Sequence, residues 1–491
     1  TDDFEKMKQK LSKMVRFLLL LLFFSSISFL PAEDRSRAAK FPRIEPREEM
    51  FKIREERNKM SGETVIRHSL FLSGAAEGDF PPYLQIYREK VEQFRQTAAG
   101  KIESPYRLGE EVLYFLHDTL FKRYNEYQTR TDVLFDTGVH NCVSSAVVYA
   151  AFALDFGLPV ESINTPDHVL CAVTTEKGKI DVETTTVYGF HPGIKREFTD
   201  SFGKTGYTYV PPGNYSKRER GDVVTLLSFI LQNRIAELQR SDNYFESVGL
   251  AVDRYALLGT AKAHDEMILE FINYTALLNR ERRYLEGLDF LVYADERYST
   301  ENRFDELYDT LTNNAVVLLS DRGAYRRTEE LIRSWADAGL IHGGQSRALY
   351  EILYDKELYD AAHTLGHEEA LSLVDEYYAS GKIGRERYEE FVVFLFGKKA
   401  EEFARRRMWL EAADAAARGL EKLGSSRQLE RAVKGYRNNF AVSVHNEFAK
   451  LYNRKRYIEA KELVEEGLEK LPDNPILLKD LDTITRTLED G

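Results

Sequence analysis

The sequence predicts two architectures in series: an α+β domain, with helices packed on a small antiparallel sheet, then an all-α array of helical repeats. Three observations predict this. Between Gly138 and Thr186 a helix-period apolar run gives way to two short strand-like segments. After Tyr209-Val210-Pro211-Pro212-Gly213 helical periodicity continues nearly to the end. In that second half an aromatic residue recurs with a small or β-branched residue three positions later. The 491 residues are long enough for several domains. With 68 Lys+Arg against 80 Asp+Glu, the net charge of -12 argues against a nucleic-acid binder, which needs a basic surface to neutralise phosphates. Two cysteines exclude a disulfide framework and a four-cysteine zinc site.

Taken in chain order, the first element is an export-type segment over residues 1–31. Lys8, Lys10, Lys13 and Arg16 precede an apolar stretch from Phe17 to Leu30. That stretch is shorter than the ~20 residues of a membrane-crossing helix, so it reads as a cleaved signal peptide, with an uncleaved N-terminal anchor as the alternative. The protein is therefore expected outside the cytoplasm, periplasmic or in the cell envelope, touching membrane only through this segment. Residues 32–58 are mostly charged and read as a mobile linker. Residues 59–217 read as the α+β domain. Its first helices, Pro82–Thr97 and Arg107–Tyr124, carry apolar faces that wall a cleft.

Val143, Ala146, Val147, Ala150 and Leu154 then fall at helical spacing, predicting a buried helix from about Cys142 to Phe156. Asn141 caps its start, and Gly157 with Pro159 ends it. Cys142 thus sits in the first turn, where unpaired backbone N–H groups favour a thiolate and can hold a developing oxyanion. Two strands follow, His168–Thr175 and Lys179–Val187. A Lys177-Gly178 turn between them puts Asp181 and Glu183 on the face of His168. Cysteine, histidine and carboxylate supply a nucleophile, a base and an orienting acid. Glu183 is the nearer acid and Asp181 the alternative. A Cys142–Cys171 disulfide is the competing reading in an exported protein. Strand alternation speaks against it, because Cys171 lies three residues beyond His168. His140 and His191 show no metal-ligand spacing and read as non-catalytic, and no cofactor motif is evident.

This stretch resembles the transglutaminase-like superfamily, a permuted relative of the papain fold. The matching positions are Cys142, Gly157 with Pro159, His168, and Glu183 within Glu183-Thr184-Thr185. The family's usual wording at the last site is Asp-Pro-Thr, and its usual tryptophans near the cysteine and histidine are absent here. The resemblance implies thiol chemistry on amide bonds.

From residue 222 to 491 the recurring pairs are Tyr244/Ser247, Tyr284/Gly287, Tyr325/Thr328, Tyr359/Ala362, Trp409/Ala412 and Tyr457/Ala460. Each pair suits a helix hairpin: the aromatic fills the turn and the small residue lets the second helix approach the first. These positions resemble the tetratricopeptide repeat, which implies a protein or peptide partner on the array. Two functions follow. One is an exported thiol enzyme acting on peptide or isopeptide bonds, by hydrolysis or acyl transfer, through Cys142, His168 and an acid, without a cofactor. The other is a non-catalytic envelope adaptor that uses the repeats alone.

Overall fold

The computed structural model describes residues 40–97, 102, 104–166, 168–192 and 217–489. The export-type segment, linker residues 32–39 and Tyr209–Gly213 lie outside these. The chain divides into two compact units, Thr1–Leu307 and Tyr308–Gly491. The architecture is mostly helical, with two small sheets.

In the first unit, helices α1 (Glu48–Glu55), α2 (Gly62–Ser73), α3 (Phe80–Thr97) and α4 (Pro105–Thr119) lead to a short strand β1 (Arg123–Tyr124). Helix α4 stops at Thr119, so Tyr124 belongs to a strand and not to the helix expected there. Helix α5 (Thr131–Thr137), strand β2 (Val139–His140) and helix α6 (Cys142–Asp155) follow. Every residue of α6 from Val143 to Ala153 is buried. Such a helix needs walls on all sides. They come from α2, α4, the sheet, and α7 (Val223–Arg240). One apolar core runs through all of them.

That packing moves the expected domain boundary. Helix α7, read as the start of the repeat array, contributes Val224, Leu227 and Leu231 to the core around α6. Its Arg234 also donates to the Leu72 carbonyl at 2.7 Å. The α+β portion and the first hairpins therefore form one body. Residues 40–58 also differ from the expected mobile linker. Phe41, Ile44, Met50 and Ile53 are fully buried. Phe41 meets Phe290 edge-on at 5.6 Å, and Arg47 holds the buried Asp253 through its backbone N–H (2.8 Å) and Nε (2.7 Å). Charge dominates the composition of this arm, but four apolar side chains anchor it.

The larger sheet has the order β5-β4-β3-β6 and is antiparallel throughout. Its strands are β3 (Val160–Asn164), β4 (Val169–Thr175), β5 (Gly178–Val182) and β6 (Glu219–Gly221). Thr175 pairs with Gly178, so the hairpin turns on Glu176-Lys177 and not on Lys177-Gly178. The register shifts by two residues, and face parity is unchanged. Strand β5 ends at Val182, earlier than Val187.

Helical hairpins continue through α8 (Tyr244–Leu258), α9 (Ala261–Arg280) and α10 (Tyr284–Tyr298), then α11 (Asp305–Asp321) and α12 (Tyr325–Asp337). The second unit, which takes in α12 and α11 from Tyr308 on, continues with α13 (Gly343–Thr364), α14 (His367–Ala379), α15 (Arg385–Arg405), α16 (Trp409–Leu423), α17 (Arg427–Asn453), α18 (Tyr457–Lys470) and α19 (Pro475–Glu489). Five of the six predicted aromatics open a second helix: Tyr244, Tyr284, Tyr325, Trp409 and Tyr457. Tyr359 does not; it lies inside α13. The fourth opening residue is His367, with Ala370 buried three positions on. The openings then fall at intervals of 40, 41, 42, 42 and 48 residues, longer than the tetratricopeptide period of ~34. At the other five openings the residue two positions earlier is left-handed: Asp242, Arg282, Gly323, Arg407 and Lys455. In each of these turns the next N–H closes back five residues, as Asn243 does on Leu238 at 2.9 Å. This is the Schellman closure that ends a helix and starts the next one tightly.

Candidate functional site

Cys142 is the first residue of α6, and the cap beneath it is complete. Asn141 Oδ1 accepts from the Val143 and Ser144 N–H groups, both at 3.0 Å, and Ser144 Oγ accepts from the Asn141 N–H at 3.0 Å. This reciprocal capping box fixes the start of the helix. Cys142 is half-buried, and its thiol is free.

His168 stands just before β4 and Glu183 just after β5, at one end of the hairpin. Continuing the register of Cys171 opposite Val182 would set Glu183 opposite Leu170, diagonal to His168. The two side chains meet: His168 Nε2 donates to Glu183 Oε2 at 2.6 Å. The other oxygen of Glu183 accepts from the Thr185 N–H at 3.1 Å and its hydroxyl at 2.7 Å. The carboxylate is 3% exposed and fixed by three donors. Nε2 is committed to Glu183, which leaves Nδ1 as the free ring nitrogen, and the Cys142 thiol lies near enough to help hold charge on the ring. Burial works against charging His168. The hydrogen bonds and charge supplied by Cys142 and Glu183 outweigh it and hold the ring's pKa at about 10, above the ordinary 6.5.

Asp181 is placed elsewhere. Arg218 binds it through two guanidinium contacts of 2.7 and 2.9 Å, so Glu183 and not the alternative acid accompanies His168. Cys171 lies on the opposite face of β4, fully buried against α6, its sulfur 3.4 Å from the Ala146 carbonyl. Burial pushes its thiol well above the usual range, and it forms no disulfide with Cys142.

Several contributors carry no sequence signal of their own. Thr184 Oγ1 meets Ser145 Oγ at 2.8 Å, bolting the acid-bearing turn to the cysteine helix. His117 Nε2 donates to the Thr184 carbonyl at 3.0 Å, and burial lowers its pKa to about 4, so it is neutral. Gly189 backs Glu183 so closely that a Cβ there would come within 1.8 Å of the Glu183 carbonyl oxygen. Tyr124 stands beside His140, rings 6.1 Å apart. His191 hydrogen-bonds Tyr106 through Nδ1 at 3.1 Å, outside this group. Among the described residues no cluster of three or more His, Cys, Asp or Glu side chains is arranged to hold a metal ion, and no helix is long and apolar enough to cross a membrane.

No family model and no curated protein matches the chain. A solved menin structure, described as revealing the binding site for the Mixed Lineage Leukemia (MLL) protein, aligns over 79% of this chain and 90% of its own at 13% identity. Its TM-score is 0.27, too low to equate the two folds.

Proposed function

We propose that this chain is a transglutaminase-like thiol enzyme acting on peptide or isopeptide amide bonds. The observation that carries this reading is the grouping of three residues: His168 bound to the Glu183 carboxylate, with the Cys142 thiol near enough to influence the ring. In the reaction His168 holds the proton of Cys142, and the sulfur attacks the amide carbonyl. The tetrahedral oxyanion collapses as His168 protonates the departing amine. Water or a second amine, deprotonated by the same ring, then releases the acyl group from sulfur. Glu183 fixes the tautomer that leaves Nδ1 unprotonated and able to take the thiol proton.

The helical array would present a protein substrate or partner. An open groove of about 860 Å³ among Arg347, Tyr350, Tyr354, Lys382, Arg387 and Glu390 is a suitable surface for it. The cationic, apolar N-terminal stretch supports an exported, envelope-associated protein. A second reading, a non-catalytic adaptor, draws support from the cap: Asn141 occupies two of the N–H groups that would otherwise face an oxyanion.

Alkylation of the full chain with iodoacetamide across pH separates the two readings. Under the enzyme reading Cys142 reacts at about pH 6 nearly as fast as at pH 8, and His168→Asn restores the steep rise near ~8.5 of an ordinary cysteine. A wild-type profile already like an ordinary cysteine, or full protection, supports the adaptor instead.

A further inference from the structure

Thiol acylation puts negative charge on the former carbonyl oxygen, and preorganised donors are needed where that charge appears. The start of α6 offers few. Val143 and Ser144 give their N–H groups to Asn141, and Ser145 gives its own to the Asn141 carbonyl. Among the described residues only the Cys142 N–H is left without an acceptor at the sulfur. A second donor must come from another element.

Strand β1 supplies one. It runs parallel to β2, with Tyr124 paired to His140. Asn141 is extended (φ -123, ψ -172), so Cys142 emerges on the same side of the chain as His140, the side on which Tyr124 stacks edge-on against that ring. The segment is held against the start of the helix at several points. Asn125 N–H donates to the His140 carbonyl at 2.8 Å, Asn141 Nδ2 to the Glu126 carbonyl at 3.2 Å, and Gln128 Nε2 to the Val139 carbonyl at 2.7 Å. Tyr124 is 47% exposed, and its hydroxyl has no hydrogen-bond partner among the described residues. A tyrosine whose backbone is held here, with an idle donor on the side from which Cys142 emerges, is suited to receive an anion.

We propose, building on the thiol-enzyme reading, that Tyr124 is a catalytic residue whose hydroxyl joins the Cys142 N–H in holding the acyl oxyanion. Burial, followed by the charges of Cys142 and Glu183, raises the phenol's pKa to about 12, so it keeps its proton at neutral pH and remains a donor. In the step concerned the Cys142 sulfur bonds to the carbonyl carbon, and the π pair moves to the oxygen that Tyr124 and the N–H receive. The pair then re-forms the double bond as the leaving group departs with its bonding electrons.

The test compares two reactions of the same sulfur in the full-length protein. Acylation by p-nitrophenyl acetate passes through an oxyanion, whereas alkylation by iodoacetamide displaces iodide at a saturated carbon and forms none. Tyr124→Phe keeps the ring packing and removes the hydroxyl. Its acylation rate relative to its alkylation rate is expected to fall about 100-fold from the wild-type ratio, the cost of losing one oxyanion donor. A fall of less than about tenfold overturns the role of Tyr124 while leaving the thiol-enzyme reading standing. If wild-type protein shows no acylation that Cys142→Ala removes, both the reading and this inference fall.

Discussion

Replacing Glu183 by Gln removes the charge behind His168 with almost no change in shape. Moving an imidazole from 6.5 to about 10 corresponds to about 5 kcal/mol of preference for its charged form. Cys142 and Glu183 share this, which leaves about 2–3 kcal/mol to Glu183, in the range of a hydrogen bond to a charged group. Because the native pKa of His168 is raised, its contribution to stability is complete below about 6.5 and is lost as the pH rises through about 10. Glu183→Gln should therefore be destabilised by about 2–3 kcal/mol at about pH 6, and the deficit should shrink steadily toward about pH 10. The Gln oxygen will stay with the two Thr185 donors, so its NH₂ turns toward Nε2 and drives the ring proton to Nδ1, the wrong tautomer for a base. Urea unfolding of both proteins across this range, read as the difference between them, measures the effect. A deficit that stays constant or widens with rising pH would refute the charged pair.

Two further changes probe the surroundings. Gly189→Ala drives a methyl into the Glu183 backbone and disturbs the 2.9 Å bond from the Glu183 N–H to the residue 189 carbonyl. It should cost about 1–3 kcal/mol in urea unfolding and slow alkylation of Cys142 at neutral pH, whereas equal reactivity in both proteins would separate Gly189 from the site. Arg47→Ala strips Asp253 of its guanidinium partner. Thermal unfolding should show a loss of about 3 kcal/mol near neutral pH that diminishes as the pH falls and Asp253 takes up a proton; a loss independent of pH would contradict the buried pair.

The cysteine helix is legible in the sequence because its periodicity, its Asn141 cap and its Gly157 exit agree with one another. The pairing of His168 with Glu183 is legible through parity alone. A turn misplaced by one residue shifts the register by two, and faces survive an even shift. Tyr124 is hidden because a two-residue strand has no period, and its position depends on pairing with residues sixteen places away. The repeat phase was obscured at His367, since an imidazole in the opening position escapes a search for Tyr and Trp. The packed arm at residues 40–58 was obscured by its charge: four apolar anchors spread across thirteen residues make no dense pattern, and their burial depends on a surface formed more than 190 residues later.

The double duty of α7 has a practical corollary for anyone dissecting this chain. A fragment ending near residue 220 would carry the Cys142 helix with one flank stripped of Val224, Leu227 and Leu231, leaving hydrocarbon bare to solvent. A fragment beginning there would be an array whose founding helix has lost the surface it grew upon. Cuts intended to separate the Cys142 site from the later helices belong nearer Leu307, and fragments divided at residue 220 should express as aggregates.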